Sequence, residues 1–218
     1  MNNNKKLIII GDSAFAEIAY EYFTYDSEFE VVAFSVEQEY LKRNNLFGIP
    51  IVAFETLEES FPPAEHHFYT AMVYTQGNKL LERLYTEAKR KGFTPASYIS
   101  SKAFVWRNVQ LGEHCFIFED NTVQPFVKIG DDVVLWSGNH IGHHSTIDSH
   151  CFISSHVVIS GFCNVGKRCF MGVNSTVGNN INIGNDCIIG ASATIVGDVE
   201  DGQTVIGLWK KRKVASES

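Results

Sequence analysis

An aliphatic side chain recurs at every sixth residue over almost half the chain. The series runs from Val105 through Leu111, Ile117, Val123, Ile129, Leu135, Ile141, Ile147, Ile153, Ile159, Val165, Met171, Val177, Ile183 and Ile189 to Ile195. Sixteen consecutive matches leave little choice of architecture. A period this short defines a solenoid, whose units bury their apolar side only by stacking on their neighbours. The next column is Gly in eight of the sixteen units, from Gly112 to Gly190. Glycine there suits a corner of unusual backbone angles or of close chain approach. The fifth column is small or β-branched and holds all five cysteines, Cys115, Cys151, Cys163, Cys169 and Cys187. Their spacings are multiples of six and none forms a CxxC pair. They read as fillers of a narrow core, not as disulfides or metal ligands.

The first hundred residues lack this period. Lys6–Ile10, Val31–Ser35, Ile49–Phe54 and Phe68–Thr75 read as strands, and Phe15–Phe23 and Asn78–Lys91 as helices. The alternation implies an α/β domain with a parallel sheet. Such sheets bind ligands beyond the carboxyl ends of their strands, where the strand order reverses. That places Gly11–Phe15, Ser35–Glu37 and Tyr74–Gly77 at one rim. Three regions are expected: residues 1–100, a coil over 104–207 reached through Tyr98–Ala103, and a tail over 208–218.

A net charge of −7 argues against a nucleic-acid partner. No apolar run approaches the ~18 residues of a membrane span. The start leads into an apolar run of four residues, Leu7 to Ile10, too short for a secretory signal. With free cysteines, this points to the cytoplasm.

The repeat, preceded by a small α/β domain, resembles the left-handed β-helix acyltransferases, and more closely the NeuD/PglD-type sugar O/N-acyltransferases. The resemblance covers nearly the whole chain. It implies a Rossmann-like nucleotide-sugar-binding domain followed by a left-handed parallel β-helix with three units per triangular turn. Sixteen units then make a prism roughly 25 Å long at ~4.8 Å per layer. It also implies a homotrimer in which acetyl-CoA lies in a groove between neighbouring prisms and acylates a nucleotide-linked amino sugar.

The family carries its catalytic histidine in a stretch of the form Gly-Ala-x-Ile-Glu-His-Asp/Glu. Here the stretch is Gly138-Asn139-His140-Ile141-Gly142-His143-His144. The resemblance therefore puts the general base on His143, a residue type whose titration suits proton abstraction near neutral pH. His144 stands where an acidic residue usually orients the imidazole. Asn139, Asp148, His144 or a backbone carbonyl are the partners available to Nδ1, with Asp148 and His144 ranked first. A second family histidine is Phe152. The glycine fingerprint of the first domain is Gly11-Asp12-Ser13-Ala14-Phe15, and an acidic pair after the second strand is Ser35-Val36-Glu37.

Gly161 stands one turn beyond His143 and matches a family glycine whose N–H meets the thioester oxygen. Asn174 and Asn180 lie on turns that contact the pantetheine arm, and Lys210 and Lys211 where a CoA phosphate is met. Gly11, Ser13 and Glu37 are expected at the nucleotide, and Asn139 and His140 at the sugar. No metal is expected. Two alternatives remain: a sugar O-acetyltransferase, and a metal-dependent or non-catalytic trimer of the carbonic-anhydrase type. For the latter His144, His150 and His156 recur in the fourth column, on three different faces of one prism. Trp136 is expected to project outward, onto a neighbouring subunit or over a substrate. His114 reads as a surface residue and His66-His67 as a loop.

Overall fold

The computed structural model describes residues 5–207. Its N-terminal unit contains β1 (Lys5–Ile10), α1 (Ala14–Tyr25), β2 (Phe29–Val36), β3 (Asn45–Leu46), β4 (Ile49–Ala53), α2 (Leu57–Ser60), β5 (His66–Thr70), α3 (Lys79–Arg90) and β6 (Thr94–Pro95). The strands form one mixed sheet in the order β3-β4-β2-β1-β5-β6. Only the β3–β4 pair is antiparallel.

Alternation along β1 divides the core, because successive strand side chains point to opposite faces. Leu7 and Ile9 meet Phe15, Ala19 and Phe23 of α1, while Ile8 and Ile10 meet Leu84, Tyr85 and Ala88 of α3. His66 and His67 are not in a loop. They open β5, opposite Lys6 and Leu7, because β5 must start level with β1 to continue the sheet.

The repeat begins earlier than its aliphatic column suggests. Tyr98–Ile99 is already a rung, paired in parallel with Phe116–Ile117, so the expected linker belongs to the coil. Val134–Leu135, Phe152–Ile153, Phe170–Met171 and Ile188–Ile189 continue this first side. A second side runs through Thr122–Val123, His140–Ile141 and Val158–Ile159, and a third through Lys128–Ile129, Thr146–Ile147 and Asn164–Val165. The three sides enclose one column of buried aliphatic residues.

The columns have separate physical reasons. From His114 to Ser192 every sixth residue has positive φ, so the left-handed corner is the fourth column. Asn, Asp and Gly suit that conformation, whereas bulky residues such as the phenylalanines at Phe126 and Phe162 rarely adopt it. The second-column glycines serve close approach instead: a Cβ on Gly142 would stand 2.5 Å from the carbonyl carbon of Ser160. The five cysteines are buried and free. The thiols of Cys151, Cys163 and Cys169 face the carbonyls of Gly166, Gly178 and Gly184 at 3.0–3.1 Å.

The N-terminal unit packs on the first side of the prism. Phe116, Phe118, Val134 and Phe152 share a core with Phe15, Phe23 and Tyr69. Trp136 belongs to this seam and not to a neighbouring subunit or substrate. It lies 5.3 Å from Phe15 and stacks on Phe118 at 4.3 Å, inside the same chain.

The seam is also polar. His114, read from the sequence as a surface residue, is buried. Its Nε2 accepts the backbone N–H of Thr70 at 2.8 Å. Nδ1 of His114 meets one oxygen of buried Asp132 at 2.6 Å, and Nδ1 of His150 meets the other at 2.8 Å. One turn further, Arg168 pairs with Asp186 and reaches Glu82 of α3. This polar ladder of His114, Asp132, His150, Arg168 and Asp186 runs up one corner of the prism, where sequence spacing alone could not show what covers it.

Candidate functional site

His143 stands at the corner between the second and third sides, opposite the side covered by the N-terminal unit. Its backbone N–H is held by the Gln124 side chain at 2.9 Å. One turn on, at Gly161, a Cβ would come within 2.8 Å of Cε1 and 3.0 Å of Nε2 of His143. The imidazole therefore lies against bare backbone, in a space that any larger residue would fill. The spacing of 18 residues between His143 and Gly161 carries this arrangement.

The partner of Nδ1 is His144, whose own Nδ1 is 3.1 Å away. Asp148 does not orient the base. It sits at the start of the next corner, and its carboxylate accepts the N–H of Ser149 at 2.8 Å. Asn139 is no sugar contact either. It is buried at another corner, where its amide donates to the Trp136 carbonyl at 2.6 Å and its oxygen accepts the Val157 N–H at 2.7 Å. His140 is half-buried on the strand leading to His143, between Thr122 and Val158.

Gly161 lies beside the imidazole of His143. Its N–H is already donated to the Asn179 side chain at 3.0 Å, so it is not a free oxyanion donor. Asn180 stands on the His143 edge, where its N–H reaches the Gly161 carbonyl at 3.1 Å. Asn174 is on a different edge, bonded to the Ser155 carbonyl. Lys210 and Lys211 lie outside the described residues.

Two residues here were not legible as functional. Phe126 and Phe162 flank His144 at 4.6 and 4.9 Å, stacked on its two faces, and both are more than half exposed. The available signal was phenylalanine in a column otherwise rich in His, Asp and Asn. That signal is readable only once the column is known to be left-handed. His150 is committed to Asp132, and His156 stands over Gly138. The three histidines weighed as metal ligands thus sit on three corners of the prism. Among the described residues no group of three or more His, Cys, Asp and Glu side chains could hold a metal ion.

A second candidate site is at the rim of the N-terminal sheet. A cavity of ≈ 350 Å³ is lined by Gly11, Asp12, Ser13, Ser35, Glu37, Thr75 and Gln76, among others. All three expected rim segments contribute to it. Gly11 has φ +121°, and a Cβ there would meet Met72 at 2.9 Å and the Ala71 carbonyl oxygen at 3.0 Å. Ser13 begins α1 with no side-chain cap, which leaves backbone N–H groups facing this rim. Glu37 is held by Arg83 through two parallel bonds of 2.9 and 3.0 Å, and Asp12 by Arg43 at 3.0 Å. Both rim carboxylates are thus neutralised by arginines that sequence reading did not single out.

Residues 126–161 match the family model "Bacterial transferase hexapeptide (six repeats)". No curated protein matches the chain. Among solved structures, a His-to-Asn variant of perosamine N-acetyltransferase from Caulobacter crescentus, in complex with CoA and GDP-perosamine, is 24% identical. The match covers 93% of each chain with a TM-score of 0.83. The acetyltransferase domain of PglB from Neisseria gonorrhoeae, in complex with acetyl coenzyme A, is 21% identical over 94% of this chain and 97% of that one, with a TM-score of 0.83. WeeI from Acinetobacter baumannii is 17% identical over 92% and 96%, with a TM-score of 0.71. The chain shares their fold, a hexapeptide-repeat left-handed β-helix behind an α/β unit.

Proposed function

We propose that this protein is an acetyl-CoA-dependent N-acetyltransferase for a nucleotide-linked amino sugar, with His143 as general base. The observation that carries the proposal is the imidazole of His143 lying against Gly161 on an open edge of the prism. Two solved structures of the same fold support the substrates, since they hold CoA with GDP-perosamine and acetyl coenzyme A.

Acetyl-CoA supplies the acyl group as a thioester. His143 accepts the amine proton at Nε2 as the nitrogen attacks the carbonyl carbon, and returns it to the departing thiolate. Direct attack within a ternary complex needs no covalent enzyme intermediate. With the Gly161 N–H held by Asn179, the oxyanion takes its hydrogen bond there only when Asn179 lets go.

The parallel strands of the N-terminal sheet fall in the order β4-β2-β1-β5-β6. Renumbered along the chain, this is the 3-2-1-4-5 order of a Rossmann-like unit, whose ligands sit at the switch beside the first strand. The ≈ 350 Å³ cavity with Gly11, Ser13 and Glu37 lies at that switch and is assigned to the nucleotide. Residues 1–100 are its domain and 104–207 the acyltransferase domain, although Tyr98 already belongs to the coil.

The proposal includes a homotrimer, and two features support a neighbouring copy. The N-terminal unit covers the side of the prism opposite His143, and its cavity is lined by no residue of the corner that carries the base. Phe104, Trp106, Phe126 and Phe162 are exposed on the free second side and its edge. A neighbouring copy packed there closes a groove over His143. Among the described residues no helix is long and apolar enough to cross a membrane. A cytoplasmic location completes the proposal.

The test is thiol release from acetyl-CoA with a panel of UDP-, dTDP- and GDP-linked amino sugars beside the matching hydroxyl sugars. Release with an amino sugar alone supports the proposal. Release with hydroxyl sugars alone replaces it with O-acetylation.

A further inference from the structure

The pairing of two adjacent imidazoles says how the base is held. Nδ1 of His143 faces Nδ1 of His144 at 3.1 Å, so one of these nitrogens must donate and the other accept. If His144 donated, the proton of neutral His143 would sit on Nε2 and no base would remain. If His143 donates, its Nε2 carries the lone pair that takes the amine proton.

Resting on the assignment of His143 as base, we infer that His144 is its positioning residue: its Nδ1 lone pair accepts a hydrogen bond from the Nδ1–H of His143. In a charge-neutral pair, His143 carries its proton on Nδ1 and His144 on Nε2. When the amine proton arrives at Nε2, His143 becomes imidazolium and keeps its Nδ1–H on His144. The same proton then leaves from Nε2 to the CoA sulfur as the C–S bond breaks and the C–N bond is complete.

The surroundings fix this geometry. Phe126 and Phe162 stack on the two faces of His144 with interplanar angles of 25° and 18°. Both take positive φ, 66° and 60°, which bulky side chains rarely adopt. Phe162 also meets His143 edge-on at 5.0 Å. Besides His144, the groups against His143 are Gln124 from the preceding turn and Gly161 and Phe162 from the next, none of which titrates. His140 makes no side-chain hydrogen bond to it among the described residues. His144 is the one titratable group bonded to the base.

An uncharged partner leaves a mark that a carboxylate would not. Protonation of His144 removes the lone pair on its Nδ1 and places a positive charge beside the base. Activity is therefore lost to protons on either ring, and the acid limb of the pH–rate curve steepens beyond first order as both rings charge.

The test compares kcat, KM and the pH dependence of kcat/KM for the wild type, His144→Asn and His144→Ala, with thermal unfolding as a control. Asn suits the left-handed backbone and offers an oxygen acceptor that never titrates. His144→Asn is expected to keep kcat within about tenfold, with an acid limb first order in protons. His144→Ala is expected to lose about 10–100-fold in kcat with little change in KM, as a misplaced base does. An alanine variant with wild-type kcat, or an acid limb that is the same in the wild type and His144→Asn, overturns the inference. If His143→Ala also keeps full turnover, the assignment of the base fails; if it does not, only the role of His144 does.

Discussion

Gly161 leaves no room for a Cβ beside His143: the added atom would stand 2.8 Å from Cε1 of the imidazole. The ring is therefore positioned by an absence of side chain one turn away. Gly161→Ala is expected to tilt the imidazole and lower kcat by about 10²-fold, since small misplacements of a reacting group are that costly. The fold should survive, because the glycine has no positive φ to lose. Steady-state kinetics beside thermal unfolding checks this; unchanged kcat would mean the ring has freedom that the contact denies.

Asp132 joins the two units of the chain. Both its oxygens are bonded, to His114 and His150, while His114 passes the link on to the amide of Thr70. Asp132→Ala leaves the ring nitrogens of buried His114 and half-buried His150 without their partner, and a buried polar group left unsatisfied costs about 1–3 kcal/mol. The expected readouts are a lower denaturation midpoint and faster proteolysis between the units. Wild-type stability would show that the seam rests on its aromatic contacts alone.

Acid below about pH 4 should loosen the same seam from its other end. The Tyr98 hydroxyl, then the Ser101 amide, hold the Asp26 carboxyl below its ordinary range. A carboxylate depressed in the folded state contributes stability above its unfolded value of about 4, and that contribution fades as pH falls below it. Asp26→Asn should therefore flatten the acid side of the stability curve, measured by denaturation between about pH 3 and 6. A variant curve parallel to the wild type throughout would deny Asp26 this role.

All five thiols should resist reagents in the native protein. Each cysteine is fully buried, and burial pushes the Cys115 thiol up to about 12. None of the five is exposed to react. A disulfide-exchange reagent should titrate five thiols in denaturant and close to none without it. Rapid native labelling would contradict the packed core.

How much of this was legible in the sequence depended on the range of the determining contact. The prism was readable because its rule is local: one aliphatic residue in six, stacked on its copy one turn away. The rim around Gly11, Ser13 and Glu37 was readable because strand order fixes where loops converge. The seam was not, since Trp136 and His114 owe their burial to Phe15, Tyr69 and Thr70, far away in the chain. Asp148 was ranked with His144 as partner to the base, but the corner turns its carboxylate to Ser149. Gly161 was found by counting one turn, whereas the capture of its N–H by Asn179 depends on a side-chain rotamer that spacing does not reveal.

The most direct measurement is turnover of acetyl-CoA with an amino-sugar nucleotide by wild type and by His143→Ala, at equal oligomer content and equal thermal stability. Loss of the base is predicted to lower kcat by about 10²–10⁴-fold while both substrates still bind. Undiminished kcat in the alanine variant would contradict the account.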